Sequence, residues 1–338
     1  MHPRDQHGRG LRDLRISVTD RCNFRCGYCM PKEVFHDGYR FLPRQDVLSY
    51  EEIARIARVA VSTLGVQKLR VTGGEPLLRR DLPTLIEMLA AIDGVRNLAL
   101  TTNGLLLAEQ AGALARAGLR RATVSLDALD TETFQRMGGT SHTPARVLDG
   151  IAAATAAGLS RIKLNCVVIR GQNEHAIPEL VERFRGTPHV VRFIEYMDVG
   201  TLNGWTREQV VGADEILARI AAVAPLEPAL DERGGAVAER YRFRDGSGEV
   251  GVIASVTRPF CGDCQRARLA ADGRFLTCLF GASGLQLRER LRTGATDDTL
   301  AQDMAAAWQR RDDRYSELRA PLADATPKRR LEMYQVGG

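Results

Sequence analysis

Apolar residues recur along this chain in two alternating rhythms. Residues 14–18, 68–72, 97–102, 121–126, 161–169 and 190–196 are short runs with the two-residue period or the continuous apolar character of strands. Between them the three-to-four-residue period of helices returns. Ser49 opens one helix in which Ile53, Ile56, Ala57, Ala60 and Leu64 share a face, and Gly65 stops it. Asp81 is expected to cap the next, which runs through Leu89. Further helices are predicted over 105–117, 131–137, 145–157, 174–184 and near 214–223.

Six β–α units with short connections imply an α/β fold with a parallel sheet covered by helices. Six are too few for a full eight-fold barrel. A doubly wound sheet and an open partial barrel both fit the pattern, and in either the ligands gather at the C-terminal ends of the strands. The rhythm ends in a Pro-, Gly- and charge-rich stretch, so two units are expected: 11–224, then a linker over 225–236, then 237–338. The second unit reads differently. Residues 239–243 and 249–256 form a hairpin about Asp245-Gly-Ser-Gly248, and 266–270 and 274–279 form another about Asp272-Gly273. Helices follow over 285–291 and 298–309.

The candidate chemistry lies in two cysteine groups. Cys22, Cys26 and Cys29 sit at C-x₃-C-x₂-C spacing on a loop leaving the first strand. Cys261 and Cys264 are joined by Cys278, which the Asp272-Gly273 hairpin would bring back beside them. Structural zinc takes four ligands, and neither group has an obvious fourth. Three thiolates suit a four-iron cluster with one iron left open. Cys166, amid Leu164, Val167 and Val168, reads as a small core residue.

Arg15, Arg70 and Lys163 fall on three predicted strands, where a charge must be paired or meet a ligand, so they are expected to face a cavity. Arg266 and Arg268 share one face of a strand beside the second cysteine group, an arrangement that suits a polyphosphate. Gly73-Gly74-Glu75-Pro76 follows a strand directly, and its glycines would let a small ligand approach the backbone.

Composition narrows the partners. Of 47 Lys and Arg residues only four are lysines, and the net charge is +5. The excess is spread out, without the dense basic run or aromatic interleaving of a nucleic-acid face. No apolar run approaches the roughly 18 residues that span a membrane. Residues 1–12 are polar, so a reducing, cytoplasmic setting is expected, where clustered cysteines mean metal or catalysis more than disulfides.

The first cysteine loop together with Gly-Gly-Glu-Pro resembles the radical S-adenosylmethionine (SAM) enzymes. The ordered set is more specific. Ser17-Val-Thr-Asp-Arg-Cys-Asn-Phe-Arg-Cys, Cys29-Met-Pro, Leu100-Thr-Thr-Asn-Gly, Val124-Ser-Leu-Asp, Arg192-Phe-Ile-Glu-Tyr-Met-Asp-Val-Gly, Cys261-x-x-Cys-x-Arg-x-Arg and the closing Gly-Gly resemble the molybdenum cofactor biosynthesis A family from about residue 11 to 338.

That resemblance implies a partial (β/α)₆ barrel whose open side is covered by a C-terminal α+β domain. It implies GTP 3′,8-cyclase activity, yielding (8S)-3′,8-cyclo-7,8-dihydroguanosine 5′-triphosphate on the route to molybdopterin. Cys22, Cys26 and Cys29 would hold a [4Fe–4S] cluster that binds SAM, with Tyr28, Gly74, Ser125 and Met197 at SAM-contacting positions. Cys261, Cys264 and Cys278 would hold a second [4Fe–4S] cluster facing the guanine. Arg15, Arg70, Thr101, Lys163, Arg266, Ala267 and Arg268 match GTP-contacting positions, and Gly337 and Gly338 the family's catalytic tail. The implied partners are an electron-donor protein and, downstream, a cyclic pyranopterin monophosphate synthase, with the chain a monomer or homodimer. The rivals are a peptide- or RNA-modifying radical SAM enzyme with an auxiliary cluster, and a non-catalytic zinc protein that binds nucleic acid.

Overall fold

The computed structural model describes residues 2–159, 161–229, 235–322 and 330–337. Six strands lie side by side, parallel and in chain order: β1 (Asp13–Ser17), β2 (Lys68–Thr72), β3 (Asn97–Thr102), β4 (Arg121–Ser125), β5 (Lys163–Val168) and β6 (Val190–Glu195). Helices α1 (Tyr50–Leu64), α2 (Leu82–Ala90) and α3 (Leu107–Arg116) follow the first three. The pair α4 (Thr131–Gly138) and α5 (Pro144–Ala156) follows β4, then α6 (Ala176–Phe184) and α7 (Ala213–Val223) follow β5 and β6. Ser49 and Glu52 form a reciprocal capping box on α1, and Gly65 ends it at φ 85°. Asp81 departs from expectation: it precedes α2 at φ 57°, and its carboxylate makes no bond to the first turn.

The later chain extends the same sheet. Strands β7 (Leu226–Pro228), β8 (Glu239–Phe243) and β9 (Glu249–Ile253) add to one end, and β10 (Arg266–Leu269), β11 (Arg274–Leu276) and β12 (Leu285–Gln286) to the other. Both β9 and β10 run parallel to their neighbours, β6 and β1. Among the described residues the parallel run is therefore eight strands long, yet the sheet does not close. The region expected to cover the open side also lengthens both edges, and residues 254–265 cross from one edge to the other.

Some boundaries shift. Leu226–Pro228, expected within the linker, is an outermost strand, where a proline breaks no ladder. Residues 230–234 of that linker lie outside the described residues. Leu285–Gln286 pairs with β11 before helix α8 (Leu287–Arg292) begins, so the predicted helix over 285–291 starts late. Helices α9 (Asp297–Gln309), α10 (Tyr315–Leu322) and α11 (Met333–Val336) complete the chain.

Strand alternation divides the side chains. Leu14, Ile16, Leu69, Val71, Leu164 and Val168 are fully buried in the core, and Cys166 lies there too. Arg15, Arg70, Lys163 and Asn165, at the alternate positions, face an internal cavity.

Glu195, at the end of β6, is fully buried. Its carboxylate accepts from the backbone N–H groups of Ala213 (2.8 Å), Val256 (2.7 Å) and Thr257 (2.9 Å), and from the Thr257 hydroxyl. One side chain thus fixes the start of α7 and the start of the 254–265 crossing. Glu195→Ala leaves these donors without a partner. We expect it to destabilise the fold by roughly 3 kcal/mol, on a scale of about 1–3 kcal/mol per unpaired buried group. Urea unfolding checks this, and a loss below about 1 kcal/mol would mean that water replaces the carboxylate.

Candidate active site

The cavity has a volume of about 1440 Å³ and lies inside the curved sheet. All six cysteines expected to bind metal line it. Cys22, Cys26 and Cys29 come from the loop after β1. Cys261 and Cys264 come from the 254–265 crossing, and Cys278 follows β11. Tyr28, Gly74, Ser125, Met197, Arg15, Arg70, Thr101, Lys163, Arg266 and Arg268 line the same space. Ala267 does not: its methyl group is fully buried in the core, so it could reach a ligand only through its backbone.

Two glycines seat the first cysteine loop. The Gly74 N–H donates to Thr19 O (2.8 Å) and the Glu75 N–H to Arg21 O (2.8 Å). A Cβ on Gly74 would stand 2.2 Å from Arg21 O. The close approach that the glycines permit is thus first of all that of the cysteine loop itself. Glu75 is buried, and accepts from Thr102 Oγ1 (2.7 Å), Asn103 N (2.7 Å) and Leu77 N (3.0 Å). Burial nevertheless pushes its carboxyl up to about 7. Asn103 donates in turn to Asn23 Oδ1 at 2.8 Å, which ties β3 to the cysteine loop. On the other side Tyr28 donates to Asp127 Oδ2 (2.8 Å), and Asp127 Oδ1 accepts from Val167 N (2.9 Å).

Burial raises all three thiols of this loop, Cys22 to about 12. Asp127 and then the neighbouring thiols add to the rise at Cys26, and Cys22 and Glu332 add to it at Cys29, so the trio is crowded. Among the described residues no histidine lines the cavity. Among the described residues no three Cys, His, Asp or Glu side chains draw together on one ion. Three thiols without a fourth protein donor suit a multi-iron cluster with one iron left open, and fall one ligand short of structural zinc.

The second trio is braced by distant parts of the chain. Arg9 donates to Cys261 O (2.7 Å) and Arg311 to Cys264 O (2.8 Å). Both guanidiniums pair with the fully buried carboxylate of Asp5, at 2.6 and 3.0 Å. Arg266 donates to Cys264 Sγ at 3.4 and 3.3 Å. Burial would raise the Cys264 thiol, but Arg266 and Arg311 bring it down to about 6.

Between the trios lies a row of cations set by strand register. Arg268 on β10 is opposite Arg15 on β1, and Arg15 is opposite Arg70 on β2. Further round, Thr101, Thr123 and Lys163 stand opposite one another across β3, β4 and β5. Arg70 donates to Thr101 Oγ1 (3.3 Å) and Thr123 Oγ1 (3.1 Å), and Arg192 to Asn165 Oδ1 (2.7 Å). Burial, then repulsion from Arg268 and Arg70, holds Arg15 well below the usual guanidinium range. Burial and then Arg70 lower Arg192 to about 9, and burial with Arg192 and Arg70 lowers Lys163 to about 7. The Nε atoms of Arg15, Arg70 and Arg192 find no partner among the described residues. Such a group can take up a polyanion.

The tail enters from the side. Gly337, at φ 69°, packs against Thr72 and Ser17 at the ends of β2 and β1. Arg268 donates to Val336 O (3.0 Å) and to Gly337 O. Asp198 anchors the segment before it, accepting from Arg319 (2.9 Å), Arg330 (3.1 Å) and the Tyr315 hydroxyl. Gly338 lies outside the described residues.

Sequence reasoning missed Asp5, Arg9, Arg192 and Arg311. Arg192 could have been found, because it is a charge within an apolar strand, like Arg15. The other three show no local signal.

A partial barrel with three thiols on the loop after its first strand and a glycine pair beneath them defines the class of radical SAM proteins. Comparison agrees: residues 16–184 match the Radical SAM superfamily and residues 189–317 match Molybdenum Cofactor Synthesis C. The fold is similar to Streptococcus suis SuiB bound to S-adenosylmethionine, with a TM-score of 0.57 at 16% identity over 93% of this chain and 67% of that one. Whole-length relatives narrow the class. GTP 3′,8-cyclase of Xanthomonas axonopodis pv. citri is 53% identical, covering 99% of this chain and 98% of its own. That of Staphylococcus aureus is 46% identical, covering 99% and 98%. The chain belongs to the GTP 3′,8-cyclase family.

Gly74→Ala tests how the first loop is seated. The added methyl would displace backbone, not a flexible side-chain end, so we expect the iron content after anaerobic reconstitution to fall while circular dichroism stays unchanged. Full iron loading in this variant would show that the loop can shift without losing its ligand geometry.

Proposed function

We propose that this protein converts GTP to 3′,8-cyclo-7,8-dihydro-GTP at a cavity shared by two [4Fe–4S] clusters. The observation that carries this reading is that both thiol trios open onto one space, with the cation row between them. Cys22, Cys26 and Cys29 hold the cluster that binds SAM, with Tyr28, Gly74, Ser125 and Met197 around it. Cys261, Cys264 and Cys278 would hold the second, which would supply a binding site for the guanine base. Residues 11–224 form the radical SAM unit, and 237–338 supply the second cluster and the tail. When bound, the cluster and SAM would supply one-electron reductive cleavage of SAM to methionine and a hydrogen-abstracting 5′-deoxyadenosyl group, and closure of C3′ on C8 of guanine would take up one further electron and one proton.

The chain's own residues do the positioning. Arg15, Arg70, Arg266, Arg268 and Lys163 take the triphosphate, Thr101 orients it, and Ala267 contributes backbone. Anchoring the phosphates places the ribose between the trios, so most of the entropic cost of reaction is met on binding. Gly337 brings backbone next to Arg268 without side-chain bulk, and Gly337 with Gly338 forms the catalytic tail of this reading. A protein electron donor, a downstream cyclic pyranopterin monophosphate synthase and a cytoplasmic setting complete the reading, with the chain acting as a monomer or homodimer. Among the described residues no helix is long and apolar enough to cross a membrane.

Anaerobic reconstitution tests the site. The unaltered protein should bind about eight irons and Cys278→Ala about four, on four irons per cluster. The variant should still cleave SAM under reduction but form no cyclic nucleotide. SAM cleavage that is productive only with a peptide or an RNA would refute the reading.

Lys163 supplies a pH signature. In the free protein its pKa is depressed to about 7, so near pH 8.5 it is mostly neutral. A bound triphosphate favours the ammonium form and raises that pKa. GTP binding should then take up as much as one proton near pH 8.5, and affinity should fall as pH rises above 7. Calorimetry in buffers of different ionisation enthalpy reads the uptake. Unchanged uptake in Lys163→Met would assign the proton elsewhere.

A further inference from the structure

Outside the first cysteine loop lies a second concavity, of about 640 Å³, which the proposed reaction leaves without a role. Its walls include Arg21, Arg25, His36, Tyr39, Arg40 and Phe41. Arg21, His36 and Arg40 are exposed. Two guanidiniums stand over the Phe41 ring, Arg21 at 5.9 Å and Arg25 at 5.8 Å from its centre. One acid, Asp37, shares the wall. The depression is therefore cationic around an aromatic floor.

Its floor is joined directly to the cluster loop. Arg25 donates to Cys22 O (2.7 Å), Phe24 O (2.8 Å) and Phe35 O (2.7 Å). Arg21 is the residue before Cys22. The three thiols face inward, onto the substrate cavity. With substrate and SAM in that cavity, an electron reaches the cluster most directly through the outer side of the same loop. That outer side is the cationic depression.

We propose that this depression docks a small acidic one-electron carrier protein, which reduces the cluster held by Cys22, Cys26 and Cys29. The inference rests on the reading above that those cysteines hold a redox cluster. In the step one electron leaves the carrier's reduced centre, oxidising it by one, and enters the cluster, reducing it by one. No covalent bond is made or broken. The carrier's acidic surface meets Arg21 and Arg40, and electrostatic complementarity of this kind chiefly sets the association rate. Arg25 is held by three carbonyls and serves as fixed floor.

The test uses the reconstituted holoenzyme and a photoreduced, acidic plant-type [2Fe–2S] ferredoxin as the probe. Stopped-flow absorbance follows its oxidation, and rapid-freeze electron paramagnetic resonance follows the cluster signal that SAM perturbs. Charge reversal in R21E/R40E should lower the second-order rate about tenfold or more at low ionic strength, within the range of steered association. At about 0.5 M salt, where charges are screened over a few ångströms, most of that difference should vanish. The single variant R40E, at an exposed site, should show a smaller loss in the same direction. A control reversal on α3 and α6, R116E/R183E, should change the rate by less than about twofold, since those charges lie outside the steering patch. Reduction by dithionite, and the SAM cleavage it drives, should be the same in all forms.

An equal loss in the control would assign the effect to net charge and overturn the proposal. So would a rate indifferent to the reversal or to salt, failure of the ferredoxin to reduce the unaltered protein, or slowed dithionite reduction in both R21E/R40E and R40E. The reading of function fails separately: a protein reduced by dithionite that cleaves no SAM loses that reading, while the docking result stands on the reduction rates.

Discussion

Arg268, Arg15 and Arg70 lie side by side across three parallel strands, and the architecture follows from keeping them there. Like charges at strand spacing repel, and their burial costs more than their few hydrogen bonds return. A closed barrel packs its interior with apolar side chains. This sheet stays open and keeps an internal space of about 1440 Å³. The cations tolerate burial because they line that space and are not embedded in packed core. Arg15 and Arg70 therefore come from the same strands as Leu14, Ile16, Leu69 and Val71, whose side chains fill the outer layer.

Leaving the sheet open creates the second half of the site. β9 and β10 sit at opposite edges of the parallel run, so the chain between them must cross the gap. Cys261 and Cys264 lie on that crossing. Glu195 fixes its start by binding Val256 and Thr257, and Arg9 and Arg311 hold its far part through Cys261 O and Cys264 O. The feature that prevents closure thus positions one thiol trio opposite the other. Asp5 completes the brace, since without its carboxylate two buried guanidiniums would face each other uncompensated.

Much of this was legible in the sequence because the signals were local. The cost of an unpaired charge on a strand assigned Arg15, Arg70 and Lys163 to a cavity, and cysteine spacing marked both trios. The Asp272-Gly273 turn returned Cys278 to its partners, as β10 and β11 pair about it. What stayed hidden depends on contacts remote in the chain. Asp5 meets Arg311 across 306 positions, and Tyr39 meets Tyr334 across 295. No periodicity encodes such pairs. Ala267 shows what alternation adds to resemblance: it came in with its arginine neighbours, and because alternation turns its side chain into the core, only its backbone is left for a ligand. Gly74 was read as space for a ligand, whereas the nearest atoms to its missing side chain belong to the cysteine loop.

The tail shows how the cation row reaches beyond the cavity. Arg268 stands in register with Arg15, and it also donates to the carbonyls of Val336 and Gly337. Those carbonyls carry only partial negative charge, so they offset the guanidinium less than a phosphate does. Arg268 therefore has stronger bonds available than those it makes to the tail, and a polyanion in the row competes for its donors. The tail's hold on the cavity then depends on contacts farther back: Tyr334 against Tyr39 at 2.8 Å, Glu332 against Thr201 N at 2.9 Å, and Arg330 against Asp198. These anchors involve none of the cations in the row. Gly337 can consequently stay beside Thr72 and Ser17 while Arg268 exchanges partners, which lets one guanidinium serve both tail and ligand without releasing the chain end.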